Sequence, residues 1–153
     1  MQVDFNLSGA DIANFEHVKY CKKNILQYSL GGLMYSPATN KNIADAVISR
    51  KYKEVRSLAL CLEDAVSDDA VEEAEEQLFI SLEKIYNAVS AGERSESEIP
   101  MIFIRVRNPV QTERIYRKIC DFNLLTGFIF PKFTISNAVE YINAVGYINR
   151  NIM

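Results

Sequence analysis

Cysteine and histidine are scarce in this chain, and each scarcity removes a class of function. The three cysteines, Cys21, Cys61 and Cys120, are far apart and odd in number. They fit neither a zinc spacing nor a disulfide framework, and a reduced, cytoplasmic setting is the simple expectation. His17 is the single histidine. It lies in the first segment, away from the strand ends, so histidine general-base catalysis has little support. Basic clusters are missing too: Lys22-Lys23 is a pair rather than a patch, and no nucleic-acid partner is expected. No apolar stretch approaches the roughly 20 residues that a membrane helix needs. Met1-Gln2-Val3-Asp4 lacks the basic-then-apolar order of a signal peptide. No phosphate-binding P-loop, G-x-G-x-x-G or G-x-S-x-G pattern occurs. Gly31-Gly32 precedes a strand pattern rather than opening a helix, so it is no phosphate cradle.

What is present is a globular composition. Hydrophobic residues make up 48% of the 153 residues and charged residues 24%, with a net charge of -3. That is enough for one ordinary domain with its own core. Residues 1–30 form a mixed, N-terminal helical segment, in which Phe15, Val18, Tyr20 and Ile25 suggest a helix from Phe15 to Tyr28. From residue 31 to 153, strand-like and helix-like stretches alternate.

Leu33-Met34-Tyr35 reads as the first strand, stopped by Pro37. Residues 41–53 read as a helix with Ile43, Ala44, Val47, Ile48 and Tyr52 on one face. Leu58 to Leu62 is the second strand. The next helix has the clearest period: Val71, Ala74, Leu78, Leu82, Ile85 and Val89 step by three or four. Asp69 with Glu72 suggests a capping box, and Gly92 stands where a left-handed cap is expected. The acidic run from Asp68 to Glu76 reads as a solvated face. Met101 to Arg107 is the third strand, followed by a helix over about 111–120. Gly127 to Phe130 is the fourth strand, closed by Pro131, and residues 135–149 give a last helix.

Four βα units call for a parallel sheet with right-handed crossovers. They suit a small open sheet, or the first half of an eight-unit barrel, whose usual size is about 250 residues. The ending on a helix, without a closing device, fits an apparently truncated half-barrel.

The carboxyl ends of parallel strands are where α/β proteins build sites. Here those ends carry Ser36-Pro37-Ala38-Thr39-Asn40, Glu63-Asp64, Arg105 with Arg107, and Pro131-Lys132. Two acids at the end of a buried strand are costly unless partners or function compensate them. Arginine offers a planar fork for carboxylate or phosphate, and lysine adds a point charge. Alternation places Arg105 and Arg107 on the face of Phe103. Their two readings are an anion site and an internal ion pair with Glu63 or Asp64. Asp64 could equally be plain helix-start chemistry, and Lys132 alone would be a surface lysine.

Together these segments resemble the HpcH/HpaI aldolase and citrate lyase beta-subunit family. Leu33-Met34-Tyr35-Ser36-Pro37-Ala38 is similar to its first-strand signature, and Leu62-Glu63-Asp64-Ala65-Val66 to its LEDAV run. Ile104-Arg105-Val106-Arg107-Asn108-Pro109 is similar to its VRVNP segment, and Phe130-Pro131-Lys132 to its LPK. The resemblance covers residues about 30–150. It implies a TIM barrel that makes or breaks carbon–carbon bonds in 2-oxo acids or acyl-CoA thioesters, usually with magnesium through a stabilised enolate. Arg105 would bind the substrate carboxylate, aided by Arg107 and Lys132, while Glu63 and Asp64 would support the site as nearby acids. Arg107 replaces the family's usual asparagine, and Cys61 stands where many members have aspartate. Both departures resemble the divergent carbon–carbon bond lyase branch. The family's metal carboxylates follow its fifth and sixth strands, so the resemblance implies ligands outside this chain and assigns no catalytic or metal residue within it. The resulting expectation is an oligomer, or a fragment inactive without its C-terminal half. The rival expectation is a non-catalytic half-barrel that binds or assembles.

Overall fold

The computed structural model describes residues 30–151. The expected helix from Phe15 to Tyr28 lies outside the described residues, as do His17 and Cys21. The described chain runs β1 (Leu33–Pro37), α1 (Ile43–Ile48), β2 (Ser57–Cys61), α2 (Val71–Ser90), β3 (Met101–Arg105), α3 (Pro109–Ile119), β4 (Leu125–Ile129) and α4 (Ile135–Asn151). The four strands form one parallel sheet in the order β1-β2-β3-β4. The alternation read from the sequence is therefore the architecture: four parallel strands alternating with helices, as in part of a TIM barrel.

Apolar alternation decides which face the helices cover. Leu58 and Leu60 of β2, with Ile102 and Ile104 of β3, meet Ala44, Val47, Leu78, Leu82, Ile85, Ile115, Ile119 and Tyr141 from the four helices in one core. Strand β2 is buried along its whole length, as a central parallel strand covered on both faces should be. The opposite face carries Tyr35, Ala59, Phe103 and Gly127 in register, followed by Pro37, Cys61, Arg105 and Ile129. That last row lies at the carboxyl edge of the sheet and sets up the charged cluster.

Several boundaries differ from expectation for local reasons. Strand β1 runs past Tyr35 and ends on Pro37 itself, because an end strand of the described sheet tolerates a missing amide donor. Helix α1 closes at Ile48 rather than reaching residue 53, and Tyr52 is exposed, off the apolar face. A left-handed Arg50 ends that segment. The Asp69–Glu72 capping box does not form. Asp68–Ala70 make a 3-10 turn instead, and α2 starts at Val71 without a side-chain cap. A capping box does occur at Ser95 and Glu98, on a short 3-10 turn before β3. Gly92 has φ +75°, as its cap position requires. Strand β3 ends at Arg105, so Arg107 lies beyond the ladder, and β4 starts two residues early, at Leu125. The acidic run is not wholly solvated: Glu75 is buried against α3.

Candidate functional site

The loop after β2 turns sharply because the Val66 amide donates to the Glu63 carbonyl at 2.9 Å. This leaves Glu63 on the side of Cys61 and Arg105, 8% exposed, while Asp64 reaches outward with its side chain 59% exposed. Across the register from Cys61, Arg105 donates from Nη2 to Glu63 Oε2 at 2.5 Å and to Asp64 Oδ2 at 2.5 Å. The Asp64 amide donates to the same Glu63 oxygen at 3.1 Å. From beyond β4, Lys132 Nζ meets the other oxygen, Glu63 Oε1, at 2.9 Å. The ring of Tyr35 on β1 lies 5.9 Å from the Arg105 guanidinium carbon, within cation–π range.

Lys132 takes φ +48°, a left-handed conformation that costs a lysine roughly 1–2 kcal/mol. The surrounding turn holds it there. Asn137 Nδ2 donates to the Lys132 carbonyl at 3.0 Å, and the Thr134 amide donates to Asn137 Oδ1 at 2.8 Å. Strained positions of this kind gather at functional sites. Arg105 Nε is buried with no hydrogen-bond partner among the described residues, a second local cost that concentrates at the same point.

The charges reinforce one another. Burial pushes the Glu63 carboxyl up. Hydrogen bonds involving Lys132 and Asp64, with the charges of Arg105 and Lys132, outweigh burial and hold it below the usual range. Burial acts to lower the Arg105 pKa, and the Glu63 and Asp64 charges raise it on balance. The hydrogen bond to Glu63, then the charges of Glu63 and Asp64, lift Lys132 above its ordinary value. The sign of the pH dependence follows. A depressed Glu63 contributes stability that is full above the ordinary glutamate value of about 4.3 and is lost as pH falls through its folded value. A raised Lys132 contributes stability that is full below about 10.4 and is lost as pH rises through its folded value. Melting temperature is therefore expected to hold level from about pH 5 to pH 10 and to fall on both sides. Asp69 and Glu98, also held low by hydrogen bonds, add to the acid limb. In Glu63→Gln the acid limb should be shallower. An acid limb unchanged by that substitution would remove Glu63 from the explanation.

Of the five residues expected at the site, the structure brings together Glu63, Asp64, Arg105 and Lys132. The guanidinium of Arg107 goes elsewhere. Its Nη1 donates to the carbonyls of Leu62 at 3.1 Å and Val66 at 3.0 Å, and its Nη2 pairs with Asp68. Ser36 also stays apart, buried in line with Leu60 and bonded by Asn40 Nδ2 at 3.1 Å. Tyr35 was missed by sequence reasoning, although alternation places it on the face of Pro37 and Cys61. Nothing local in the sequence marks Gln111 and Glu75, which pair across two helices.

Among the described residues, no group of three or more His, Cys, Asp or Glu is placed to hold a metal ion. The carboxylates of the cluster fit magnesium poorly as principal ligands. Magnesium takes oxygen donors in near-octahedral geometry, whereas both Glu63 oxygens and Asp64 Oδ2 are already engaged by cations. Among the described residues, no helix is long and apolar enough to cross a membrane.

Four parallel βα units with a charged cluster at the carboxyl edge of the sheet are consistent with part of a TIM barrel, whose sites occupy that edge. Residues 24–153 match the family of carbon–carbon bond lyases of the TIM-barrel fold, and the chain belongs to that family. No curated protein and no solved structure is significantly similar to it.

Proposed function

We propose that this chain supplies the anion-binding side of a carbon–carbon bond lyase or aldolase of the HpcH/HpaI and citrate lyase beta-subunit type, acting on a 2-oxo acid or an acyl-CoA thioester. The observation that carries this reading is the convergence of Arg105 and Lys132 on the buried Glu63 at the ends of three strands. Glu63 keeps the two cations in place. Asp64, mostly exposed, is the partner that a substrate carboxylate would displace from Arg105. Exchanging one carboxylate for another leaves the charge-assisted hydrogen bonding of the guanidinium intact. Magnesium, implied by the family resemblance, would contribute enolate stabilisation. Glu63 and Asp64 do not fit as its main ligands, because their oxygens are engaged by Arg105 and Lys132. The free thiols of Cys61 and Cys120 suit a cytoplasmic setting.

A second reading, assembly with a second copy of the chain, is favoured by a different observation. Helix α4 exposes Ile135 at 97%, Val139 at 67% and Ile142 at 63%, at helical spacing on one side. Beside it, β4 is an end strand of the described sheet, and its sequence Leu-Thr-Gly-Phe-Ile carries none of the charges or prolines that usually guard an edge. A parallel barrel closes with eight strands, so two copies would close one by pairing β4 of each with β1 of the other.

One preparation of residues 1–153 tests both readings. Calorimetric titration with oxaloacetate should show binding that weakens tenfold or more, about 1.4 kcal/mol, in Arg105→Leu. Equal binding by the variant would sink the anion-site reading. Light scattering on the same sample should give twice the monomer mass, reverting to monomer in Ile142→Asp. A wild-type monomer would dispose of the assembly reading alone. Cleavage of a malyl-type thioester is not expected from this chain by itself.

A further inference from the structure

Arg105 and Arg107 grip the same loop from two sides. Arg105 holds the carboxylates of Glu63 and Asp64. Arg107 holds the backbone on either side of them, since the carbonyls of Leu62 and Val66 bracket the turn that presents Glu63. The Glu63 carbonyl itself lies 3.5 Å from Arg107 Nη1. A planar fork with several donors is suited to such a task, because one guanidinium can satisfy several convergent acceptors at once.

Arg107 is itself held from behind. Its amide donates to Gln111 Oε1 at 2.6 Å. Gln111 is 2% exposed, and its side-chain Nε2 donates to Glu75 Oε1 at 2.6 Å. Arg114 pairs with the same Glu75 oxygen, and Asn108 Oδ1 accepts from the Gln111 amide at 2.8 Å, capping α3. A buried chain of polar groups therefore runs from α2 through α3 to the end of β3, and ends at the loop that carries Glu63. Satisfied networks of this kind rigidify what they touch.

We propose that Arg107, seated by Gln111 and Glu75, is a positioning residue that sets where Glu63 stands against Arg105 and Lys132. Its functional meaning rests on the anion-site reading above. The positioning itself is read on Lys132 and needs no substrate, so the two can fail separately.

The test is the titration of the Lys132 ammonium, followed by NMR in lysine-labelled protein of residues 1–153 and assigned by its loss in Lys132→Arg. The groups that face Lys132 are Glu63, Asp64 and Arg105. In Arg107→Leu, deleting a positive charge would by Coulomb's law alone raise the Lys132 pKa. Loss of positioning acts in the opposite direction, because Lys132 loses the hydrogen bond that raises it. The expected result is a fall toward the ordinary lysine value. A rise, or no change, overturns the proposal. Arg107→Lys keeps the charge but cannot reach both carbonyls and Asp68, and should give a smaller fall. Should Arg107→Leu fail to fold, this variant decides: an unchanged Lys132 in it overturns the proposal. Asp68→Asn removes only the exposed partner of Arg107, and a fall as large as that in Arg107→Leu would also overturn it.

Discussion

Arg105→Leu is expected to cost about 2–3 kcal/mol of stability, less than the roughly 3–5 kcal/mol of breaking a fully buried pair. The loss arises because Glu63 is buried and shares one oxygen with Arg105 and the other with Lys132. Removing the guanidinium leaves half of a buried carboxylate without its cation, and Lys132 supplies the reason for the discount. Asp64 contributes little, since an exposed acid regains water. For a chain of this size the change corresponds to a fall in melting temperature of about 6–9 °C. Urea denaturation of Arg105→Leu beside wild type measures it. A difference under roughly 0.5 kcal/mol, the ordinary effect of a surface substitution, would show that the cluster contributes no stability to the fold. The Glu63→Gln/Arg105→Leu double variant should lose less than the sum of the two single variants, because both act on one pair.

Leu78→Ala is expected to cost about 3 kcal/mol, within the range for truncating a fully buried leucine. Leu78 is wholly buried midway along α2, in the core formed with Leu60, Ile102 and Ile104. Two positions further on, Ile80 is 51% exposed, and Ile80→Ala should change stability by less than about 0.5 kcal/mol. The pair separates burial from side-chain chemistry within one helix. Similar losses from both variants would mean that the face of α2 opposite the core is also covered in solution.

Most of the fold was legible because its signals are local. The period of three and four from Val71 to Val89 and the apolar run from Leu58 to Leu62 each need only near neighbours in sequence to be read. The misreadings lie where a local signal met a competing structure. Tyr52 keeps helical spacing with Val47 and Ile48, yet the left-handed Arg50 turns the chain before it can reach the core. Asp69 has the spacing of a cap, yet the chain uses that stretch for a 3-10 turn. Glu75 looked like one more acid on a solvated face until α3 brought Gln111 and Arg114 to it.

The candidate site was half legible. Residues at the ends of consecutive parallel strands converge for topological reasons alone, which is why Glu63, Asp64, Arg105 and Lys132 could be named together. Alternation could not separate Arg105 from Arg107, because the strand ends between them. Past that point the side chain is aimed by the loop and its partners, not by the pleat.

By itself, the sequence determined the elements, their order and the parallel sheet, since hydrophobic periodicity and turn residues act over a few positions. Tertiary structure decided which of the expected charge pairs form, and sent Arg107 to the backbone of the Glu63 loop instead. The register that aligns Cys61 with Arg105 and Arg105 with Ile129, the turn that points Glu63 inward, and the left-handed Lys132 bring groups up to 69 residues apart within hydrogen-bonding distance. Charge-assisted hydrogen bonds need their heavy atoms within about 3 Å and well aligned, and only the packed sheet and its loops place groups from distant segments that closely.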